Sequence, residues 1–389
     1  MDRLYENMQR LLANTTSNFH RYLFDQIKWD NHMLGLVGPR GAGKTTLFLQ
    51  HIKQSDESHR SLFISADDMY FANHTLFETS EAFYKNNGAY LYIDEIHKYE
   101  GWSRELKMMY DSFPNLHVYF TGSSVLDIEK GEADLSRRAP RYLMQGLSFR
   151  EFMAMRYNVQ APILSLDEIL EHKSKLPGID HPLPYFKEYL QRGYYPFGAD
   201  PDFELELNQV IARTCEVDIP QYANMTASTG QKLKRLLMVI STLAPFKPNL
   251  TKLASQVGVG RNNLEDYLAY IEKAGLIAQL RNPGSSINVL GKTEKVYLDN
   301  TNILFNLSDS AAEIGTVRET FFYNQMRVNN RVMASALSDF QIGDKTFEIG
   351  GKNKGRKQIM EAQEGYIVKD DIEYGYGNVI PLWAFGLNY

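Results

Sequence analysis

Short apolar runs alternate with polar helical segments along the first 150 or so residues of the chain. Four runs indicate strands: HMLGLVG, SLFISADD, AYLYIDE and LHVYFTGSS. Each is rich in β-branched and aromatic residues, and helical segments separate them. This alternation is typical of a parallel sheet with crossover helices on both faces. We therefore predict an α/β domain for residues 1–155, with a helical lead-in that places Leu4, Met8 and Leu11 at helical spacing.

The alternation of predicted strands and helices ends after Phe152. Residues 156–230 are mostly helical in pattern, interrupted by the Pro- and Gly-rich loops LPGIDHPLP and GYYPFGADPD. Residues 231–299 predict three helices and then the strands IAQLR and KVYLD, which is the order of a winged helix. The three helices are Lys232–Leu243, Leu250–Val257 and Arg261–Ala274. Residues 300–389 mix strands and helices and predict a further α/β domain.

Composition narrows the class of protein. A chain of 389 residues exceeds one ordinary core, and its 43% hydrophobic and 23% charged residues are typical of globular domains. Because the net charge is −5, the chain could bind nucleic acid only through a local basic patch. The single cysteine, Cys215, suits a reducing compartment. Without a signal-peptide pattern, and with no apolar stretch long enough to span a bilayer, we expect a cytoplasmic protein without a membrane partner.

A glycine-rich turn joins the first predicted strand to a helix. It fits the pattern G-x-x-x-x-G-K-[ST] of a P-loop, whose backbone N–H groups surround phosphates at a helix N-terminus. Within this pattern the lysine reaches the β- and γ-phosphates, and the final hydroxyl binds Mg²⁺. The candidate nucleotide-binding residues are Gly38, Pro39, Arg40, Gly41, Ala42, Gly43, Lys44, Thr45 and Thr46.

A second acidic element follows about 50 residues after the P-loop. The strand LYIDE ends in Asp94 and Glu95, as a Walker B strand does. We predict that Asp94 and Thr45 hold Mg²⁺ and that Glu95 activates the attacking water as a general base. Together the two elements predict that a nucleoside triphosphate binds and is hydrolysed, with Lys44 and Glu95 as catalytic residues. The lack of an obvious guanine-reading N-K-x-D motif favours ATP as the substrate and ADP as the product.

The next strand ends in Thr121-Gly122-Ser123-Ser124. A polar side chain at this strand end can contact the γ-phosphate or the attacking water. Ser123 is our candidate, and Thr121 and Ser124 are its rivals. A simple loop cap is the alternative interpretation, and both stay open.

A basic cluster follows, formed by Arg137, Arg138 and Arg141. An arginine there could reach a γ-phosphate in its own chain or in a neighbour, as an arginine finger, which would imply a homo-oligomer. A solvated surface cluster is the alternative for each of the three.

At this point the chain resembles the bacterial and archaeal AAA-superfamily ATPases that carry a C-terminal domain of unknown function. The segments that carry the resemblance are GPRGAGKTTL, YIDEIHKYEGW, FTGSSVLDI, GLSFREF, YLQRGYYP and TFEIGGKNKG. It implies an AAA-type P-loop domain, a helical region with a winged helix, and a C-terminal nuclease-like α/β domain. By the family pattern, Arg138 matches the arginine before the stretch L-S-F-x-E-F, which makes it our candidate. Gly146 stands where the family more often has proline.

Two downstream features remain open. The third helix of the winged-helix pattern offers Arg261, Asn262 and Asn263 for contacts with DNA bases, but Glu265 and Asp266 on the same helix would repel phosphates. A winged helix used for contacts with a protein or for packing is the equal alternative.

The last segment resembles a metal-dependent nuclease core in Glu319, Asp339, Glu348 and Lys352. Its spacing departs from that pattern, since Gly350 stands where an acid usually precedes the lysine. We expect the fold without the reaction. The leading hypothesis is therefore an ATPase that moves its downstream domains, and the alternatives are a nucleotide-gated DNA- or protein-binding module and a nuclease.

Overall fold

The computed structural model describes residues 1–122, 135, 137–223, 225–283, 292–308, 312–355 and 359–389. The chain divides into two compact units, Met1–Gly146 and Leu147–Tyr389. This division differs from the predicted boundary at residue 155. The helix that begins at Phe149 belongs to the second unit because Ser148 Oγ and Arg150 Nε both donate to the Tyr389 carbonyl, at 2.7 and 2.8 Å. The three segments predicted after residue 155 lie within that one unit.

The first unit is built on a five-stranded parallel sheet with the order β2-β3-β4-β1-β5. Its strands are β1 Met33–Val37, β2 Ser61–Ser65, β3 Tyr90–Asp94, β4 His117–Gly122 and β5 Arg141–Leu143. The four strands predicted from the apolar runs are confirmed. Their order places β4 between β1 and β3, so the polar end of β4 lies between the P-loop and the end of the acidic strand.

Helices cover both faces of this sheet, as predicted. The helices are α1 Asp2–Ala13, α2 Lys44–Gln54, α3 Leu76–Lys85 and α4 Trp102–Ser112, with 3-10 turns at Ser58–Arg60, Met69–Ala72 and Ile96–Lys98. Leu91 and Ile93 of β3 face the core that α3 and α4 share. The alternate residue Tyr92 faces α2, where its hydroxyl lies 2.6 Å from His51 Nδ1. A capping box between Thr75 and Glu78 begins α3.

The second unit starts as a run of helices. They are α5 Phe149–Tyr157, α6 Leu166–Leu170, α7 Leu183–Arg192, α8 Phe203–Arg213, α9 Ile219–Tyr222, α10 Ala227–Leu243, α11 Leu250–Val257 and α12 Arg261–Lys273. A π-helical turn, Thr214–Asp218, joins α8 to α9, and a 3-10 turn spans Pro196–Ala199. The antiparallel strands β6 Ile277–Arg281 and β7 Thr293–Leu298 follow α12. The elements predicted for residues 231–299 are therefore present in the predicted order.

A mixed five-stranded sheet ends the chain. Helices α13 Thr301–Leu307 and α14 Ile314–Met326 precede β8 Val332–Ala334, β9 Phe340–Ile342, β10 Lys345–Gly350, β11 Glu364–Lys369 and β12 Val379–Pro381, and a 3-10 turn spans Leu382–Leu387. The order is β12-β11-β10-β9-β8, with β10, β11 and β12 parallel and β8, β9 and β10 antiparallel. Among the described residues, no helix combines the length and apolar character needed to cross a membrane.

The segment YLQRGYYP holds parts of the second unit together. The Tyr189 hydroxyl donates to the Leu147 carbonyl at 2.7 Å, and the Leu147 N–H donates to the Tyr194 carbonyl at 2.7 Å. Asn302, at the start of α13, accepts from the Tyr194 N–H at 2.9 Å and donates to the Tyr189 and Leu190 carbonyls. These buried bonds give the segment a structural role.

Candidate functional site

The P-loop backbone depends on three glycines. Gly38, Gly41 and Gly43 have φ angles of 154°, 81° and 95°, in a region that residues with a side chain rarely adopt. Gly38 is also constrained by packing, since a Cβ there would lie 2.1 Å from the Met144 carbonyl oxygen. Gly43 is the N-cap of α2, so the loop leads directly into the helix N-terminus.

Lys44 is buried beneath the loop it belongs to. Its Nζ donates to the carbonyls of Gly38 and Pro39, at 3.0 and 2.9 Å, so the ammonium lies across the start of the loop. This buried ammonium places a positive charge beside the loop, where it would attract an anion that enters. The helix N-terminus and this charge therefore attract the same ligand.

Asp94 lies at the centre of a group of oxygen atoms. Its Oδ2 accepts from Thr45 Oγ1 at 2.8 Å, and its Oδ1 accepts from Thr121 Oγ1. Hydroxyl and carboxylate oxygens are the ligands that Mg²⁺ prefers, usually completed by phosphate and water. The arrangement of Thr45 and Asp94 therefore fits Mg²⁺ bound together with a nucleotide.

The pKa of Asp94 supports this fit. Burial raises it above the usual range, and the neighbouring Glu95 carboxylate raises it further. The hydrogen bonds from Thr121 and Thr45 and the charge of Lys44 oppose the rise. A cation bound at Asp94 would favour the ionised carboxylate in the same way, so ionisation of Asp94 and cation binding are linked.

Glu95 differs from Asp94 in both backbone and exposure. Its backbone is left-handed, with φ 52°, and its side chain is 24% exposed. The Glu95 N–H donates to Thr121 Oγ1 at 3.1 Å, while Oε2 lies 3.5 Å from Nε2 of the buried His97. A partly exposed carboxylate beside the metal-binding position can contact water, as a general base requires.

The other candidates at the strand end and in the basic cluster have different positions. Ser123 and Ser124 lie outside the described residues, whereas their rival Thr121 contacts Asp94. Arg138 pairs with Asp111 at 3.3 Å in the last turn of α4. Because α4 runs from the carboxyl end of β3 to the amino end of β4, this pair lies near the amino ends of the parallel strands. The P-loop lies at their carboxyl ends. The structure therefore does not bring Arg138 together with Lys44 in its own chain.

Sequence reasoning missed three polar residues around the site. Thr121 was only a rival candidate, although it bonds both Asp94 and the Glu95 N–H. His97 was not considered, although it follows Glu95 by two residues. The buried Arg21, far away in the sequence, donates to the P-loop carbonyl of Ala42. A hydroxyl at the end of a predicted strand was a usable signal for Thr121, but no sequence pattern pointed to Arg21.

The C-terminal acids lie near one another and are paired with lysines. Lys295 Nζ lies 3.0 Å from Glu319 Oε2 and 3.5 Å from Asp339 Oδ1. Glu348, at 1% exposure, pairs with Lys354. Burial, and then the charge of Glu319, raise the pKa of Asp339 to about 6. In the described part of the chain, no group of three or more His, Cys, Asp and Glu is arranged to hold a metal ion.

The lysine of this cluster is Lys354, whereas the sequence pattern suggested Lys352. A Cβ at Gly350 would lie 2.5 Å from Lys354 Cγ, so the Lys354 side chain occupies the space above that glycine. Lys352 contributes its carbonyl, which accepts from Lys369 Nζ at 3.0 Å. Each of the three acids lies within ion-pair distance of Lys295 or Lys354, and these contacts do not favour the nuclease hypothesis.

The predicted DNA-contacting residues are exposed at the start of α12. Arg261, Asn262 and Asn263 form this surface, and Arg261 Nε lies 3.9 Å from Glu265 Oε1. Asp266 is exposed on the same helix. The surface is therefore mixed in charge, and DNA binding stays a prediction.

Comparisons with known proteins agree with the site in the first unit. Residues 30–153 match a family described as an AAA domain, and residues 183–313 match a domain of unknown function. An uncharacterized protein of Methanocaldococcus jannaschii is 23% identical over 348 residues, 85% of this chain and 74% of that protein. The AAA match contains the P-loop, Asp94 and Glu95, and together with the parallel sheet it supports a P-loop NTPase-like α/β domain in the first unit.

Two solved structures are similar over much of the chain. A Walker-type ATPase of Pyrococcus abyssi is 14% identical and covers 76% of this chain and 99% of its own, with a TM-score of 0.43. A RuvB variant of Thermotoga maritima is 16% identical and covers 72% and 89%, with a TM-score of 0.28.

Proposed function

We propose that this chain is an Mg²⁺-dependent ATPase in which the AAA-type P-loop domain binds and hydrolyses ATP. The observation that carries the proposal is the contact of Thr45 with Asp94 at 2.8 Å, directly beside the helix N-terminus and Lys44. Phosphoryl transfer requires the P-loop hydroxyl, the Walker B carboxylate and the lysine to lie close together in one site. Bound Mg²⁺ would neutralise charge on the phosphates.

The protein groups have separate tasks in this proposal. The P-loop N–H groups from Arg40 to Thr46 bind the phosphates, and Lys44 moves from its carbonyl partners to the β- and γ-oxygens. Glu95 accepts the proton of the attacking water, since its side chain is partly exposed beside buried Asp94. Ser123 and Arg138 remain candidates for contacts with the γ-phosphate, the latter across a subunit interface of a homo-oligomer.

Two substitutions separate binding from turnover. Lys44→Ala should abolish binding of a fluorescent ATP analogue, whereas Glu95→Gln should bind it normally and lose at least about 100-fold in kcat. Lys53→Ala is a matched control, because Lys53 lies on the same helix and also donates to a backbone carbonyl, that of Thr15 at 2.7 Å. Glu100→Gln, at an exposed position, controls for the second change. Equal turnover by wild type and Glu95→Gln would remove Glu95 from the proposal.

Coupling of hydrolysis to the second unit is the wider part of the proposal. The helices α10 to α12 followed by β6 and β7 support a winged helix there. The alternative is a nucleotide-gated module that binds DNA or protein with little turnover. ATP-dependent DNA binding that weakens in Arg261→Glu, together with negligible ATP hydrolysis, would favour this alternative over the ATPase.

A further inference from the structure

Arg21 connects the P-loop to the end of the first unit through one side chain. It is 5% exposed. Its Nη1 donates to the Ala42 carbonyl, and its Nη2 donates to the carbonyls of Gln145 and Gly146, both at 2.7 Å. Residues 145 and 146 are the last of the first unit, and the AAA match begins only at residue 30. Arg21 therefore lies outside the matched segment and yet contacts its most functional loop.

The contact with Ala42 controls a peptide group of the P-loop. In a planar trans peptide, the C=O and the following N–H point in opposite directions. The Ala42 carbonyl points towards Arg21, so the Gly43 N–H points away from it. P-loops bind phosphate through such N–H groups, and donation from a charged group to the carbonyl polarises the N–H of the same peptide.

The segment that leaves the first unit is attached to the P-loop by further contacts. The Met144 N–H donates to the carbonyl of Val37, the last residue of β1, at 2.7 Å. The Met144 carbonyl lies where a side chain at Gly38 would be. The Tyr22 hydroxyl donates to the Leu143 carbonyl at 3.1 Å. If the loop moves when phosphate binds, these contacts would change the backbone environment of residues 143–146.

We propose that Arg21 is a positioning residue of the nucleotide site, which orients the Ala42–Gly43 peptide and links the state of the P-loop to Gln145 and Gly146. The inference rests on the proposed function, because it requires that the loop bind ATP. Arginine suits the task since its planar fork donates to several acceptors at once, whereas lysine presents a single ammonium. A buried guanidinium also requires hydrogen-bond acceptors. The contact with Ala42 and the contacts with Gln145 and Gly146 therefore depend on each other.

The experiment compares Arg21→Gln and Arg21→Lys with a control substitution on α2 that removes contacts to the same lead-in. Gln50→Met is the control, because Gln50 Nε2 holds the carbonyls of Thr16 and Phe19 at 2.8 Å without contacting the P-loop. Two quantities are measured on the full chain: the Kd of a fluorescent ATP analogue, and hydrogen exchange in the peptide 143–147 with and without saturating analogue and Mg²⁺. Thermal unfolding of each variant checks that it is folded.

The expected result has two parts. Arg21→Gln raises the Kd about tenfold, and saturating nucleotide no longer changes exchange in residues 143–147. Arg21→Lys, which retains the charge and carries the test if the glutamine variant does not fold, shows a smaller effect in the same direction. Gln50→Met keeps both the wild-type Kd and the nucleotide-dependent change in exchange, so loosening of the lead-in alone cannot explain the result.

Two outcomes would overturn the inference. In the first, Arg21→Gln and Arg21→Lys bind nucleotide as tightly as wild type. In the second, wild type binds nucleotide without any change of exchange in residues 143–147. Failure of the turnover assigned in the proposed function looks different, since wild type would then bind the analogue and show the change in exchange without hydrolysing ATP. In that case the inference about Arg21 is supported, whereas the proposal that the chain hydrolyses ATP is refuted.

Discussion

Thr121 offers the sharpest test of the active-site geometry, because a single hydroxyl contacts both acidic residues. Its Oγ1 donates to Asp94 and accepts from the Glu95 N–H at 3.1 Å, and the side chain is fully buried. Thr121→Val has nearly the same shape but removes both contacts. The substitution should therefore change the electrostatics of the site without opening a cavity.

The expected magnitude follows from the bonds that are lost. A hydrogen bond to a charged group contributes about 1.5–3 kcal/mol, and a buried N–H without a partner costs about 1–3 kcal/mol. If about 2 kcal/mol of this is lost from transition-state stabilisation, kcat falls about 30-fold. The Thr121 hydrogen bond also lowers the pKa of Asp94, so its removal raises that pKa further. The acidic limb of the pH–rate profile should then move to higher pH, and more Mg²⁺ should be needed.

The assay is steady-state ATP hydrolysis over a range of pH and Mg²⁺ concentration. Thr79→Val is the matched control, because Thr79 is a buried threonine of α3 whose hydroxyl donates to the carbonyl of the N-cap residue Thr75 at 2.8 Å. It loses a neutral hydrogen bond and leaves the acids untouched. If Thr121→Val matches Thr79→Val in kcat, Mg²⁺ dependence and pH profile, the assigned role of this hydroxyl is refuted.

Two further predictions concern stability. His51 stacks on Trp29 at 3.6 Å, and burial lowers its pKa to about 4, so the folded chain stays neutral there while the unfolded chain gains a proton below about pH 6.5. The free energy of unfolding therefore falls as the pH drops through this window, by about 2 kcal/mol at pH 5. Urea unfolding at pH 7.5 and 5.0 should show a smaller loss in His51→Phe than in wild type. Equal losses in the two proteins would contradict the assignment. Lys354→Met should destabilise the second unit by about 1–3 kcal/mol because the buried Glu348 would lose its ion pair with the partly exposed Lys354, whereas Lys352→Met should change the free energy of unfolding by less than about 0.5 kcal/mol. Similar unfolding free energies for the two lysine variants would show that the pairing is unimportant.

Local patterns in the sequence were sufficient for the elements and for part of the site. Short, nearly continuous apolar runs predicted the four strands β1 to β4, because burial on both faces of a parallel sheet requires apolar residues at successive positions. The P-loop could be located for a similar reason, since its glycines, lysine and hydroxyl are consecutive along the chain. The same holds for Asp94 and Glu95, which are adjacent at the end of β3.

The tertiary structure decided the contacts between residues that are distant along the chain. Strand order is one example: β4 lies between β1 and β3, and this places Thr121 against Asp94. Arg21 is another, because its partners Gln145 and Gly146 are more than 120 residues away. Sequence patterns report periodicity and local geometry, whereas these contacts depend on how strands are ordered and on which buried polar groups find partners.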